Sequence, residues 1–363
     1  MTFSKNTYTR RTFINEGSLL FASIAMPRLG VPSVFESTSK ANKNRFVPTL
    51  TGEISCNKLG TTLMHEHILW FGGPRLEDAG YTPIADDLKS ETVDFAVSLL
   101  NDAARVGIDT VVDLTPFRPV DLYKRIAERT TVTIVASTGF YRRAKIPKRL
   151  AEIEDEKQME ELMLKEITEG MDNTKIKAGI IKVAGEGGSL SDWEKKVFRA
   201  AARVQRATGC PIATHTGGAA EQFDVLMKAG ADPHRIFLSH VDVGRKGKPG
   251  DLLGIAREGC YLEVDTFGQG FYTPWSDLVS FLRAFCDAGL AGRVFISIDS
   301  NWHWENRKKI FEGAGPPNFD PGAASRTFAY MITDAVPALL KSGFSMAEIN
   351  TFLVDNPRNY FCR

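Results

Sequence analysis

From Phe46 onward, short apolar and β-branched runs alternate with amphipathic helical segments, and the rhythm is carried by eight runs. The runs are Thr61–His67, Thr110–Leu114, Thr131–Ser137, Gly179–Ala184, Pro211–His215, Arg235–His240, Cys260–Asp265 and Val294–Asp299. Helical patterns separate them at Glu91–Val106, Val120–Arg129, Leu150–Met171, Trp193–Thr208, Ala219–Ala229, Gly250–Glu258 and Trp275–Ala288. Several of these patterns end in glycine, as helix C-caps do: Gly107, Gly209, Gly230, Gly259 and Gly289. Strands separated by helices of this length imply parallel βαβ units, and eight units point to an α/β fold closed as a (β/α)8 TIM barrel. Thr49–Leu59, with a turn near Asn57, reads as a short N-terminal β-hairpin ahead of the barrel. Additional C-terminal helices are expected at Ala323–Leu340 and Ser345–Leu353. Between barrel and helices, Trp302–Gly322 is rich in tryptophan and proline and reads as a long loop over the barrel mouth. An open sheet that binds a dinucleotide would need a glycine fingerprint after its first strand. Gly185-Glu186-Gly187-Gly188 comes nearest and lacks the spacing.

The first 45 residues differ from the rest. Thr9-Arg10-Arg11-Thr12-Phe13-Ile14 precedes a mildly apolar stretch from Gly17 to Met26, and a Ser/Thr/Lys/Asn-rich spacer follows from Ser37. Charged region, apolar core and polar spacer form the layout of an export leader, and the paired arginines resemble a twin-arginine signal. Residues 1–45 are therefore expected to be leader and linker, 46–363 the barrel, and the destination the periplasm. No later apolar run is long enough to span a membrane. A formal charge of +1 offers nothing to nucleic acid. The five cysteines are odd in number and scattered, which argues against a disulfide framework and against a zinc ribbon.

In a barrel of this kind, chemistry gathers at the C-terminal ends of the strands. Those ends carry His65 and His67 on the first run, Lys182 on the fourth, His215 on the fifth, His240 on the sixth and Asp299 on the eighth. The chain has only six histidines, so four of them at strand ends is far from random scatter. His65 and His67 are spaced i, i+2, which on a strand puts both imidazoles on one face about 7 Å apart. In Val294–Asp299, Asp299 shares a face with Ser297 and Phe295, while the β-branched residues turn toward the helices. Glu66 turns the same way and is not counted as a ligand. Imidazole with carboxylate suits zinc, manganese, iron or cobalt better than calcium or magnesium. Four histidines and a carboxylate exceed what one open catalytic zinc needs and match two ions with a shared bridge. Beside two dications, Lys182 is more favourable as the neutral amine, which could capture CO2 as a bridging carbamate. A plain barrel lysine is the alternative.

Five stretches together resemble the phosphotriesterase family of the amidohydrolase superfamily, the lactonase-type hydrolases included. They are Thr62-Leu63-Met64-His65-Glu66-His67, Gly179–Ala184 around Lys182, Pro211–Thr216 around His215, Ser239-His240 and Ser297-Ile298-Asp299. The likeness runs from Gly52 to Phe361 and includes the terminal Asn356-Pro357-x-x-x-Phe361. It implies a two-metal barrel with one divalent ion, zinc above all, on His65, His67 and Asp299, and a second on His215 and His240. Carboxylated Lys182 and a hydroxide would bridge them, the hydroxide attacking and Asp299 taking the proton. The resemblance also makes a homodimer plausible.

The substrate is a small molecule whose class is only partly legible. Tyr141 stands where lactone-hydrolysing relatives carry a tyrosine over the metals, which favours a lactone or related carboxylic ester. Thr266 replaces the arginine usual in those lactonases and the histidine frequent in organophosphate-hydrolysing relatives, and Val243 replaces an acidic residue of their proton relay. Trp302 and His303 follow Asp299 and are expected at the pocket mouth. Hydrolysis of a phosphotriester or an amide on the same metals is the alternative, and a non-catalytic ligand-binding barrel is the third reading.

Overall fold

The computed structural model describes residues 45–69, 84–215, 217–305, 307–311 and 326–363. The expected leader, residues 312–322 of the expected mouth loop and the start of the helix expected from Ala323 lie outside the described residues. The hairpin comes first, as β1 (Phe46–Thr49) and β2 (Gly52–Ser55). It turns at Leu50-Thr51, earlier than the sequence pattern placed it, and Asn57 belongs to a short 3-10 turn, Cys56–Lys58. The barrel strands follow as β3 (Thr62–Glu66), β4 (Thr110–Asp113), β5 (Thr133–Phe140) and β6 (Ile180–Val183). They continue as β7 (Ile212–Ala213), β8 (Ile236–Leu238), β9 (Tyr261–Val264) and β10 (Val294–Ile296). All eight expected strands are present in strict spatial order from β3 to β10, and every ladder between neighbours is parallel.

Helices α1 (Lys89–Arg105) and α2 (Val120–Ala127) follow β3 and β4. The long pattern expected over Leu150–Met171 is two helices, α3 (Lys148–Ala151) and α4 (Glu156–Thr168). The break comes where Asp155 caps the second one by accepting from Lys157 N. Then come α5 (Asp192–Thr208), α6 (Ala219–Lys228), α7 (Leu252–Arg257) and α8 (Trp275–Asp287). Ser191 and Glu194 form a reciprocal capping box at the start of α5, and Gly209 ends it in the left-handed conformation at φ 69°.

Apolar parity places the core. One residue from each strand points inward: Met64, Val112, Val135, Ile180, Ala213, Phe237, Tyr261 and Phe295. The alternate residues, among them Leu63, Val111, Ile134, Ile181, Val294 and Ile296, pack outward under the helices. Gly139 is where β5 passes closest to its neighbour. A Cβ there would stand 2.0 Å from the Lys182 carbonyl oxygen, and its φ of 122° suits glycine alone.

The first and last barrel strands share no backbone ladder among the described residues; side chains and one backbone hydrogen bond close that seam. Ser297 Oγ accepts from Met64 N at 2.8 Å and His65 N at 3.0 Å. The Glu66 carboxylate accepts from Ile298 N at 3.1 Å and Ser300 N at 2.7 Å, and His67 N donates to Ser300 O at 2.9 Å. The register explains why one hydroxyl serves two amides. Leu63 pairs with Val111 and Glu66 with Asp113, so β3 carries one extra residue. Such a bulge lets Met64 and His65 both face the interior.

Beyond β10, the stretch expected to be loop begins as a hairpin, β11 (Trp302–Glu305) with β12 (Lys308–Phe311). Its tryptophans dock on α1: the Trp302 ring meets Phe95 edge-on at 4.7 Å, and Trp304 Nε1 donates to Thr92 Oγ1 at 2.9 Å. Alternation of apolar and polar residues in Trp302-His303-Trp304 was the available strand signal. The C-terminal segment forms a π-helical turn (Met331–Ala335), α9 (Val336–Lys341), α10 (Met346–Asn350), a second π-turn (Thr351–Asp355) and α11 (Asn356–Cys362). Asn356 Nδ2 donates to the carbonyls of Ala291 and Val294, and Tyr360 OH to Ile212 O at 2.7 Å. The Tyr360 ring sits against Phe237, Tyr261 and Phe295 and plugs the N-terminal end of the barrel.

The cysteine expectation is corrected at this plug. Cys56 and Cys362 form a disulfide, Cα to Cα 5.4 Å, across 306 residues of sequence. The two partners lie near opposite ends of the barrel-forming sequence, so no local spacing could announce them. Closing so long a loop constrains the unfolded chain strongly. A Cys56→Ser/Cys362→Ser variant is expected to melt about 5–15 °C below the parent in calorimetry, and a reductant should lower the parent similarly. An unchanged midpoint in both would mean that the thiols are not bridged.

Candidate metal centre

The C-terminal mouth of the barrel brings His65, His67, Lys182, His215, His240 and Asp299 together. Asp299 Oδ1 lies 3.2 Å from His67 Nε2 and 3.6 Å from His65 Nε2. Lys182 Nζ is 3.4 Å from His65 Nε2 and donates to Thr214 O at 2.7 Å, which places it between the first histidine pair and the second. His215 Nδ1 and His240 Nε2 approach to 2.9 Å. The His65 and His240 rings are 4.8 Å apart, so both pairs share one hollow.

Two of these residues sit on strained backbone. Asp299 has φ 48° and His240 φ 55°, left-handed values that a non-glycine residue holds only when its surroundings enforce them. Each is held by a buried carboxylate. Glu66 binds the amides on both sides of Asp299, those of Ile298 and Ser300. The Arg326 guanidinium, also buried, donates to Ile298 O at 2.5 Å and to Phe267 O at 3.2 Å. Asp265 accepts from His240 N at 3.2 Å and approaches His240 Nδ1 at 2.8 Å; its other contact is His65 Nδ1, at 3.0 Å. With Nδ1 of both rings turned to Asp265, the Nε2 atoms point forward. Asp265 also falls within ligand distance of His65 and His240, but its place behind the rings makes it their orienter. His67 Nδ1 has the equivalent contact with Thr115 Oγ1 at 2.8 Å.

Burial sets the electrostatics. It holds the His65 imidazole well below the ordinary histidine value, with the Lys182 ammonium adding to the effect. Burial and His240 do the same to His215. Burial also opposes charge on His240, but the Asp265 carboxylate outweighs it and the net shift is upward. For Asp299, burial is overcome by the hydrogen bond from His67 and by the His240 charge, and the carboxyl is held below its usual range. Burial brings the Lys182 ammonium down from 10.5 to about 8.

This donor set fits divalent cations. His65, His67 and His240 turn Nε2 to the same hollow and His215 turns Nδ1 to it, with Asp299 Oδ1 beside the first two. His65, His67 and Asp299 could hold one ion, and His215 with His240 a second.

The expected pocket residues divide. Tyr141 is at the centre, its OH 2.9 Å from His215 Nε2 and its ring 4.7 Å from that imidazole. Thr266 is buried, and its hydroxyl is turned to Asp242, whose carboxyl burial lifts to about 6. Val243, at the relay position, is exposed. Trp302 is buried, with Nε1 on Ile68 O at 2.9 Å and its ring turned onto α1 by the hairpin. His303 is enclosed in the same hairpin, 2% exposed. The sequence pattern did not single out Glu66, Asp265, Ser297, Thr115 or Arg326 as supports. Asp265 alone had a signal, as an acid ending a strand like Asp299.

The model of the phosphotriesterase family matches residues 45–361. The chain belongs to that family. The family's hydrolytic chemistry comes with that membership. A phosphotriesterase homology protein of Mycobacterium tuberculosis is 30% identical over 87% of this chain and 97% of its own length. The N-acetyltaurine hydrolase of Bos taurus is 29% identical over 86% and 97%. A solved mutant of a phosphotriesterase-like lactonase from Deinococcus radiodurans superposes with a TM-score of 0.73 at 31% identity, covering 87% and 99% of the two chains.

Two experiments test the supports. Glu66→Gln puts an amide NH2 where a backbone N–H already donates. It is expected to weaken metal retention 10–100-fold after dialysis, read by elemental analysis, and to speed amide exchange at Ser300; unchanged retention would show that the seam does not hold Asp299. Lys182 gives a pH signature in chelator-treated protein. Between about pH 8 and 10.5 the folded state sheds a proton that the unfolded chain keeps, so stability should rise with pH across that window. Below it the burial cost is fully present. Lys182→Met should flatten the rise in denaturant titrations.

Proposed function

We propose that the chain is a binuclear metal-dependent hydrolase acting at a carboxyl carbon, with a lactone or related carboxylic ester as substrate. The convergence of four imidazoles, one carboxylate and a buried lysine on one hollow carries this reading. Bound there, two divalent ions, zinc first among them, would supply Lewis acidity and a water acidified toward neutral pH. The residues of the chain do the rest. Lys182, with its ammonium near pH 8, has a share of neutral amine. Its lone pair adds to the carbon of CO2, one N–H proton leaves to solvent, and a carbamate anion replaces a cation between the two histidine pairs. Asp299, kept ionised and partly open to solvent, accepts the proton of the attacking water. Tyr141 fixes the His215 ring and stands beside the reacting centre, placed to donate to the carbonyl oxygen of a substrate.

Amide hydrolysis is the second reading, favoured by full-length similarity to proteins named N-acetyltaurine hydrolase. We also propose export to an oxidising compartment, which the Cys56–Cys362 disulfide supports.

The test is a panel of lactones, aryl phosphotriesters and N-acyl amino acids and aminosulfonates with zinc- or manganese-loaded enzyme. Lactones or simple esters should lead by kcat/KM; a lead for the N-acyl compounds would replace the ester by the amide, and a lead for phosphotriesters would overturn both. Asp299→Asn should cost kcat several orders of magnitude in folded protein. Lys182→Ala should lose metal and recover part of its activity with added short carboxylates.

A further inference from the structure

A second cavity lies outside the metal centre, between the segment after β4, the end of β5 and α4. It encloses about 120 Å³ and continues into an open groove of about 410 Å³ that shares Arg149, Leu162, Glu166 and Asp172 with it. None of the six metal-centre residues lines it. One water needs roughly 10–15 Å³ of such space, so there is room for several waters or one small molecule.

Its inner wall carries an uncompensated charge. Arg118 is 7% exposed, donates through Nε to Thr115 O at 2.9 Å and sets Nη1 2.5 Å from the Met171 sulfur. Nη2 has no acceptor, and no carboxylate of the described residues lies within ion-pair distance. Facing the same cavity, the buried Glu166 Oε2 accepts no well-formed hydrogen bond, and the nearby Thr138 hydroxyl favours its charged form. Besides Thr115 O and the Met171 sulfur the Arg118 guanidinium has the Tyr123 ring at 6.0 Å, but a guanidinium buried without an anionic partner is costly, and so is a carboxylate without a cationic one. Here the two line one space without closing on each other. At the mouth Arg149 and Asp172 repeat the pairing of signs, so the four charges sum to zero. A plain anion would upset that balance. A molecule with one charge of each sign preserves it and satisfies both orphaned atoms.

We propose that this cavity binds a small zwitterion, its carboxylate or sulfonate on Arg118 Nη2 and its ammonium on Glu166 Oε2. Burial lifts the Glu166 carboxyl and the Arg118 charge pulls it back; a ligand ammonium adds to the pull.

The proposal is tested on the full chain, metal-loaded and chelator-treated in parallel, because amino acids also chelate metals. Calorimetric titration with glycine, β-alanine and 2-aminoethanesulfonate, against acetate and methylammonium, should show saturable binding of at least one zwitterion in both preparations. The carboxylate and sulfonate probes distinguish the anionic end. Arg118→Met and Glu166→Gln should each weaken that binding tenfold or more. Should Arg118→Met fail to fold, the nearly isosteric Glu166→Gln decides. Acetate binding as tightly as the zwitterions would overturn the proposal, as would binding that vanishes with the metals, no saturation by any zwitterion, or full affinity in the variants.

Discussion

Two hydrogen bonds from the backbone just past the last barrel strand to the carboxylate on the first hold the barrel mouth together. Without a ladder between β3 and β10, Glu66 and Ser297 are what bring His65 and His67 against Asp299. The same bonds enforce the left-handed backbone of Asp299. Closure of the fold and assembly of the centre are therefore one event. The bulge in β3 belongs to it, because an unbulged strand would bury Met64 or His65 but not both on the inner face.

Asp265 does for the second histidine pair what Glu66 does for the seam. It sits behind two imidazoles, takes the Nδ1 side of each and leaves the Nε2 sides forward. Burial keeps His65 and His215 short of protons, so their lone pairs face the hollow. The Lys182 ammonium beside these buried rings works the same way, since a second positive charge in one hollow is unfavourable. Support residues of this kind are why substitutions beyond the ligands tell on such sites.

Much of the fold was legible because its signal is local. Strand, helix and glycine recur at fixed intervals, and the C-terminal ends of the strands carry His65, His67, Lys182, His215, His240 and Asp299. What escaped is non-local. Ser297 and Glu66 act on a strand more than two hundred residues away, and the bulge that makes them necessary leaves no mark in composition. Cys56 and Cys362 look scattered only until the plug brings them together. The stretch from Trp302 read as loop because of its aromatic and proline content, whereas the alternation of Trp302, His303 and Trp304 makes a hairpin whose tryptophans pack on α1. Tyr141 was placed by resemblance, and its bond to His215 gives that placement a physical basis.

The plug at the foot of the barrel has a consequence for biogenesis. Tyr360 and Cys362 come after all eight strands in the chain, yet they fill the floor beneath them and tie it to Cys56. At 5–20 residues per second the ribosome takes roughly 15–60 s to pass through the 306 residues that separate the two cysteines, and throughout that interval the floor is missing. Vectorial folding can stack individual βα units but cannot finish the vessel until α11 emerges.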